Sequence, residues 1–154
     1  MREFTRLTTE SDKLNLALLA DATTSVEQYR EALTQLGHSL AVSFIESLRG
    51  STPRRICVAC TVEDADSLAK GMVDTLESKG FGELVRISCF WNGRVEVGGL
   101  SVAPILMEYK EPCDLGDSVL IVVKSIISSA CVVRTNLSNL IANTSPKRIF
   151  VVAP

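Results

Sequence analysis

Apolar residues fall into two kinds of run along the chain, and the two kinds alternate. From Val26 to Leu48 they recur at Val26, Tyr29, Leu33, Leu36, Leu40, Phe44 and Leu48, which is the spacing of one helix face. Thr24-Ser25-Val26-Glu27 in front has the form of a capping box, and Gly50-Ser51-Thr52-Pro53 behind supplies a stop. The opposite face carries Glu27, Arg30, Glu31, Thr34 and His38, so His38 is expected in solvent.

Arg55 to Val62 is almost continuously apolar, as expected of a strand covered on both faces of a parallel sheet. Glu63-Asp64-Ala65-Asp66 opens a second helix whose inner side is Leu68, Ala69, Met72, Val73 and Leu76. Leu84 to Trp91 reads as the next strand. Asn92-Gly93 has the form of a type I′ hairpin turn, returning through Arg94-Val95-Glu96-Val97, and Val102 to Tyr109 is a further extended segment. Val119 to Val123 is a fully apolar strand. A polar bend follows, then a helix with Val132, Val133, Leu137, Leu140 and Ile141 inward, then a strand from Ile149 to Val152. Strands alternating with helices predict an α/β fold: one Rossmann-like domain over residues 1–154, built on a parallel sheet, with a long N-terminal helix and a β-hairpin.

Composition narrows the function classes. The chain has 154 residues, 46% hydrophobic and 22% charged, which suits a packed core rather than disorder. Lys+Arg number 16 against 18 Asp+Glu, a net charge of -2, so nucleic acid is not indicated as a partner. No apolar run approaches the ~20 residues needed to cross a bilayer, and Met1 to Arg6 does not read as a secretory signal. A cytoplasmic protein with no membrane association is expected. The 5 cysteines are Cys57, Cys60, Cys89, Cys113 and Cys131, an odd number. Cys57 and Cys60 have metal-site spacing, but on a strand they point to opposite faces. No metal site is expected.

In an open parallel sheet, ligands bind beyond the carboxyl ends of the strands. Two segments fall there. One is the bend Lys124, Ser125, Ser128, Ser129, Ala130 and Cys131, whose hydroxyls and helix-terminal amides suit a phosphate, with Lys124 adding a positive charge. Composition alone favours the plainer reading, an ordinary serine N-cap after a strand. The other is the acidic turn Glu63, Asp64 and Asp66, which suits a hard cation or simply complements a helix dipole. No Ser/His/Asp or Cys/His set assembles around the lone His38.

The order of these segments resembles the uracil phosphoribosyltransferases, a branch of the type I phosphoribosyltransferase fold. Thr24 to Leu33 is similar to the family's "TS…eFR" helix start, and Gly71-Met72-Val73-Asp74 to its "GMVDG" helix. Val119 to Leu140 is similar to its "VVDPMLATGGS" strand, loop and helix, and Ile149 to Pro154 to its "VAAP" strand. The resemblance implies a dimer and a site for phosphoribosyl pyrophosphate (PRPP). It also exposes departures. Lys124 stands where the family has an acid that contacts the ribose, and Ser125 where it has proline. Ser128-Ser129-Ala130-Cys131 stands where Ala-Thr-Gly-Gly wraps the 5′-phosphate. Glu63, Asp64 and Asp66 lie near the pyrophosphate loop, where the family places Arg-Ala-Gly. Arg94 follows Trp91, near the family's basic residue of "LYRDEE". The chain stops at Pro154, where the family's uracil-binding segment would begin, so a C-terminally short fold is expected. The expectation is a phosphoribosyltransferase-like protein without transfer chemistry, a binding, regulatory or assembly subunit. It would work as a homodimer or within a hetero-complex and take a phosphate-containing small molecule. The alternative is an active transferase of altered specificity, completed by a partner. Mg2+ is expected only in that second case, and otherwise no cofactor.

Overall fold

The computed structural model describes residues 4–48, 50–128 and 130–154. Its centre is a five-stranded sheet with strands β1 (Arg55–Thr61), β2 (Val85–Asn92), β5 (Ile105–Lys110), β6 (Ser118–Val123) and β7 (Arg148–Val152), in the order β5-β2-β1-β6-β7. β2, β1, β6 and β7 run parallel, and β5 pairs antiparallel with β2. The fold is the mixed α/β class expected, with a mainly parallel sheet.

Strict alternation along the central strands produces three layers. Ile56, Val58 and Cys60 of β1, with Val119, Ile121 and Val123 of β6, face helices α2 (Val26–Ser47) and α4 (Leu68–Leu76). Cys57 and Ala59, with Leu120 and Val122, face helix α5 (Cys131–Ile141) through Leu140. The strands read as unbroken apolar runs because both faces are covered. Burial pushes the Cys57 thiol up to about 11, against the opposing pull of a hydrogen bond with Ser88, and it pushes Cys60 upward as well. These are inert core side chains on opposite faces of one strand.

α2 and α4 meet at two glycines. A Cβ on Gly37 would lie 2.2 Å from the Leu68 carbonyl oxygen, and one on Gly71 would lie 2.0 Å from that of Thr34. His38 is therefore not in solvent, as the helical pattern had implied. It is half-buried at this crossing, with Nδ1 2.8 Å from Thr75 Oγ1. The Thr75 hydroxyl donates to the Gly71 carbonyl, so the imidazole donates to Thr75.

The structure differs from expectation at three further points. Helix α1 (Glu10–Ala20) has no counterpart in the predicted elements; Thr9 and Asp12 form its capping box. The capping box of α2 is Ser25 with Gln28, while the Thr24 hydroxyl donates to the Leu18 carbonyl. Asn92-Gly93 is not the hairpin turn. Residues 93–104 intervene between β2 and β5 and carry a separate hairpin, β3 (Val95–Val97) and β4 (Leu100–Val102). Its turn is Gly98-Gly99, with φ 58° and 78°, the left-handed pair that a type I′ turn demands. Among the described residues no helix is long and apolar enough to cross a membrane.

Gly71→Ala should lower the unfolding free energy by about 3 kcal/mol, because backbone rather than a side chain must give way. Urea denaturation checks this; a loss below about 0.5 kcal/mol would mean that the helices can separate at little cost.

Candidate functional site

β1 lies between β2, which follows it in the chain, and β6, which the chain reaches only after β5. The direction of winding reverses between β1 and β6, and a crevice opens at their carboxyl ends. Both candidate segments converge there.

Past Thr61 the chain turns at once into the short helix α3 (Val62–Ala65), which points Asp64 inward; the residue is 1% exposed. Lys124, the first residue after β6, is 8% exposed. Its Nζ donates to Asp64 Oδ2 at 2.6 Å. The Thr61 hydroxyl donates to the same oxygen at 2.9 Å, and the Ser125 amide donates to Oδ1 at 3.3 Å. A carboxylate at this depth is tolerable only with such compensation. Asp64 is therefore neither a dipole-complementing surface acid nor a vacant cation ligand, as the acidic turn had suggested. Its neighbours do not join it: Glu63 is exposed, and Asp66 pairs at the surface with Arg30 of α2. Among the described residues no group of three or more His, Cys, Asp or Glu is placed to hold a metal ion.

On the α5 side of this ion pair lies a cleft of about 270 Å³. Lys124 and Ser128 line it from the bend, Ala130 and Cys131 from the start of α5, and Arg94 and Ser101 from the β3–β4 flap. The residue preceding α5 is Ala130 at φ 55°, and its side chain caps nothing. The serine N-cap expected as the ordinary explanation is thus not what the bend forms. The Ala130 carbonyl accepts the first helical bond from Arg134, leaving the earlier amides of the first turn without helical partners. Cys131 Sγ donates to the Ser101 carbonyl at 3.0 Å and ties the flap to the helix. Ser129, one of the candidate residues, lies outside the described residues. Ser125 is directed away from the cleft and lines a second, larger space of about 610 Å³ with Tyr29, Leu33 and Ala153.

Sequence reasoning assigned no role to three participants. Thr61 completes the shell of Asp64. Asn92 at the end of β2 and the buried Asn136 of α5 exchange two amide hydrogen bonds, at 2.8 and 3.0 Å, and Asn92 also donates to the Ala103 carbonyl beneath the flap. Asn136 was detectable as a polar residue between the inward positions Val133, Leu137 and Leu140.

Solved structures with this arrangement of strands and helices include hypoxanthine-guanine phosphoribosyltransferase 2 of Bacillus anthracis, with a TM-score of 0.58 at 17% identity. The match covers 79% of this chain and 64% of that one. The chain has the phosphoribosyltransferase fold. The Leishmania donovani hypoxanthine-guanine phosphoribosyltransferase agrees at TM-score 0.57 and 15% identity, over 80% of this chain and 67% of that one. A hypoxanthine phosphoribosyltransferase of Staphylococcus aureus agrees at 0.54 and 10%, over 79% and 61%. This chain thus spans about two thirds of the length of these enzymes, whose names specify hypoxanthine or hypoxanthine-guanine rather than uracil. No family model matches the sequence, and no curated protein does. Within the phosphoribosyltransferase fold, the crevice at the β1–β6 reversal holds here a buried lysine and aspartate that neutralise one another.

Removing one partner strands the other charge in the interior. Lys124→Ala should lower the unfolding free energy by about 3–5 kcal/mol, and the double change Lys124→Met, Asp64→Leu should recover most of it. Urea titration of the three proteins checks both. Ala130→Gly should raise stability by about 0.5–1 kcal/mol by relieving the left-handed backbone, read by the same titration.

Proposed function

We propose that this chain is a phosphoribosyltransferase-fold binding or assembly subunit that does not itself transfer phosphoribosyl groups. In this reading its α5 cleft holds a phosphate-bearing small molecule. The buried Lys124–Asp64 pair carries the proposal. A ribose diol at the end of β6 needs an acceptor facing it. Lys124 supplies only donors, and the one adjacent carboxylate already accepts from Lys124, Thr61 and Ser125. Opening the pair to receive a sugar would leave two charges uncompensated in a dry site. For the same reason Asp64 is not offered to a divalent cation, and the reading requires no cofactor.

What favours retained anion binding is the rest of the cleft. The first-turn amides of α5, which have no helical partners, and Arg94 border a space of about 270 Å³, a little below the range usual for small-molecule sites. The side chains of Ser128 and Ala130 narrow the approach to those amides, which suits a lone phosphate better than a wrapped 5′-phosphate with its sugar.

The test has two arms. Full-length protein incubated with PRPP, Mg2+ and uracil, hypoxanthine or guanine should release no base-dependent pyrophosphate; sustained turnover with any base would overturn the non-catalytic assignment and favour the active transferase. Millimolar inorganic phosphate or ribose 5-phosphate should raise Tm by about 2–4 °C, and Arg94→Ala should remove the rise. A flat response in the unaltered protein would refute the phosphate site.

A further inference from the structure

The β7 edge of the sheet has the properties of a strand-binding surface. Among the described residues β7 stands at one edge of the sheet and pairs with β6 alone. The Val152 carbonyl accepts from the Lys124 amide, so the backbone groups of Val152 face β6. By the alternation of an extended chain, those of Ile149 and Val151 face outward and lack a strand partner. Both side chains are exposed, Ile149 at 42% and Val151 at 49%. Beside this edge runs an apolar groove of about 380 Å³, between Leu36, Leu40 and Phe44 of α2, Leu16 of α1, and Phe150 and Val152 of β7. Its polar lining includes hydroxyls, among them Ser39, Ser43 and Ser47 on successive turns of α2.

The two edges of the sheet are treated differently. β5 places Glu108 and Lys110 on its strand and has a register shift opposite Trp91 and Asn92, both devices that discourage further pairing. β7 has no register shift, and its one charged residue, Arg148, stands at its first position. At its start the Arg148 guanidinium stacks 4.7 Å from the Phe150 ring centroid, and among the described residues no carboxylate forms an ion pair with it.

We propose that β7 binds an extended segment of a partner protein by strand addition, with alternate apolar side chains of that segment filling the α2–β7 groove and an acidic residue at one end meeting Arg148. The unpaired backbone requires a strand, and the groove beside it requires apolar side chains at every second position. The unpaired cation selects the acid. A second copy of this chain fits less well. Residues 145–154 contain Lys147 and Arg148 and no acid, so a two-fold β7–β7 pairing would leave both Arg148 side chains without a counter-charge. The proposal does not depend on whether the α5 cleft binds phosphate.

The probe is a phage-displayed library of random dodecapeptides, selected on the immobilised full chain. Enriched peptides should alternate apolar and polar residues, carry Asp or Glu at one end, and bind as free synthetic peptides. Val151→Pro removes an outward amide without touching the β6 pairing and should abolish that binding. Arg148→Glu, a surface change that leaves the strand intact, should weaken it about tenfold or more, equivalent to ~1.4 kcal/mol. The proposal is overturned by failure to enrich any peptide, or by selected peptides that bind both variants as tightly as the original chain. Sedimentation of the chain as a dimer that Val151→Pro dissociates would also overturn it, by assigning the edge to a second copy.

Discussion

A lysine and an aspartate withdrawn from water must satisfy each other, and the place where Lys124 and Asp64 do so governs what this fold can offer a ligand. The pair sits at the one point of the sheet where the chain reverses its winding, which in open α/β sheets is the natural mouth of a binding crevice. Thr61 and the Ser125 amide add two further donors to the same carboxylate, so the group acts as a latch joining the segment after β1 to the segment after β6. Its net charge is zero. The centre of the crevice therefore presents neither an unengaged carboxylate nor an unpaired cation, and Arg94 and the start of α5 lie to one side of it.

The latch can form only because the layers on either side of the sheet are held in register. Cys60 lies beside Val123, so the residues that follow them, Thr61 and Lys124, emerge next to one another. α3 follows β1 without a linker, and α4 is drawn against α2 by glycines at which the backbones nearly touch. A longer side chain at either glycine would lift α4 away from α2 and carry α3 with it. The approach of two helices is in this way coupled to the burial of a charged pair at the end of the sheet. On the opposite face, the Asn92–Asn136 amide pair does similar work, fixing the root of the flap to α5.

Much of the fold was legible because burial on two faces leaves a plain mark. β1 and β6 are apolar runs that nothing but a covered strand explains, and α2 and α4 show unmistakable helical stripes. The illegible parts have separate physical causes. α1 turns Leu14 and Leu18 toward solvent, so its apolar residues do not form the inward stripe that signals a helix. The flap offered two competing turn signals, Asn92-Gly93 and Gly98-Gly99, and the second won because it supplies two positive-φ residues between matched short strands. His38 faces away from the main stripe of α2 but into the α4 crossing, which no single-helix pattern can reveal. At the site, the bend and the acidic turn were both identified as candidates, yet their meeting was not, because Lys124 and Asp64 are 60 residues apart. Only the β1–β6 register brings them together.

The end of β6 also separates two kinds of space. Lys124 borders the cleft beneath the flap, whose lining includes Arg94, Ser101 and Ser128. Ser125 and Ile126, immediately after it, border the larger space between α1, α2 and the chain beyond β7, whose lining includes Leu16, Leu19 and Leu33. An unpaired lysine at this boundary would impose its charge on both sides and make the second space costly to keep apolar. Pairing it with Asp64 removes that conflict. A neutral latch thus permits one crevice to be divided into compartments of different chemistry, and the compartment bounded by the end of β7 continues along α2 into the groove beside the free edge, since Thr5, Thr8, Leu16, Ala153 and Pro154 line both.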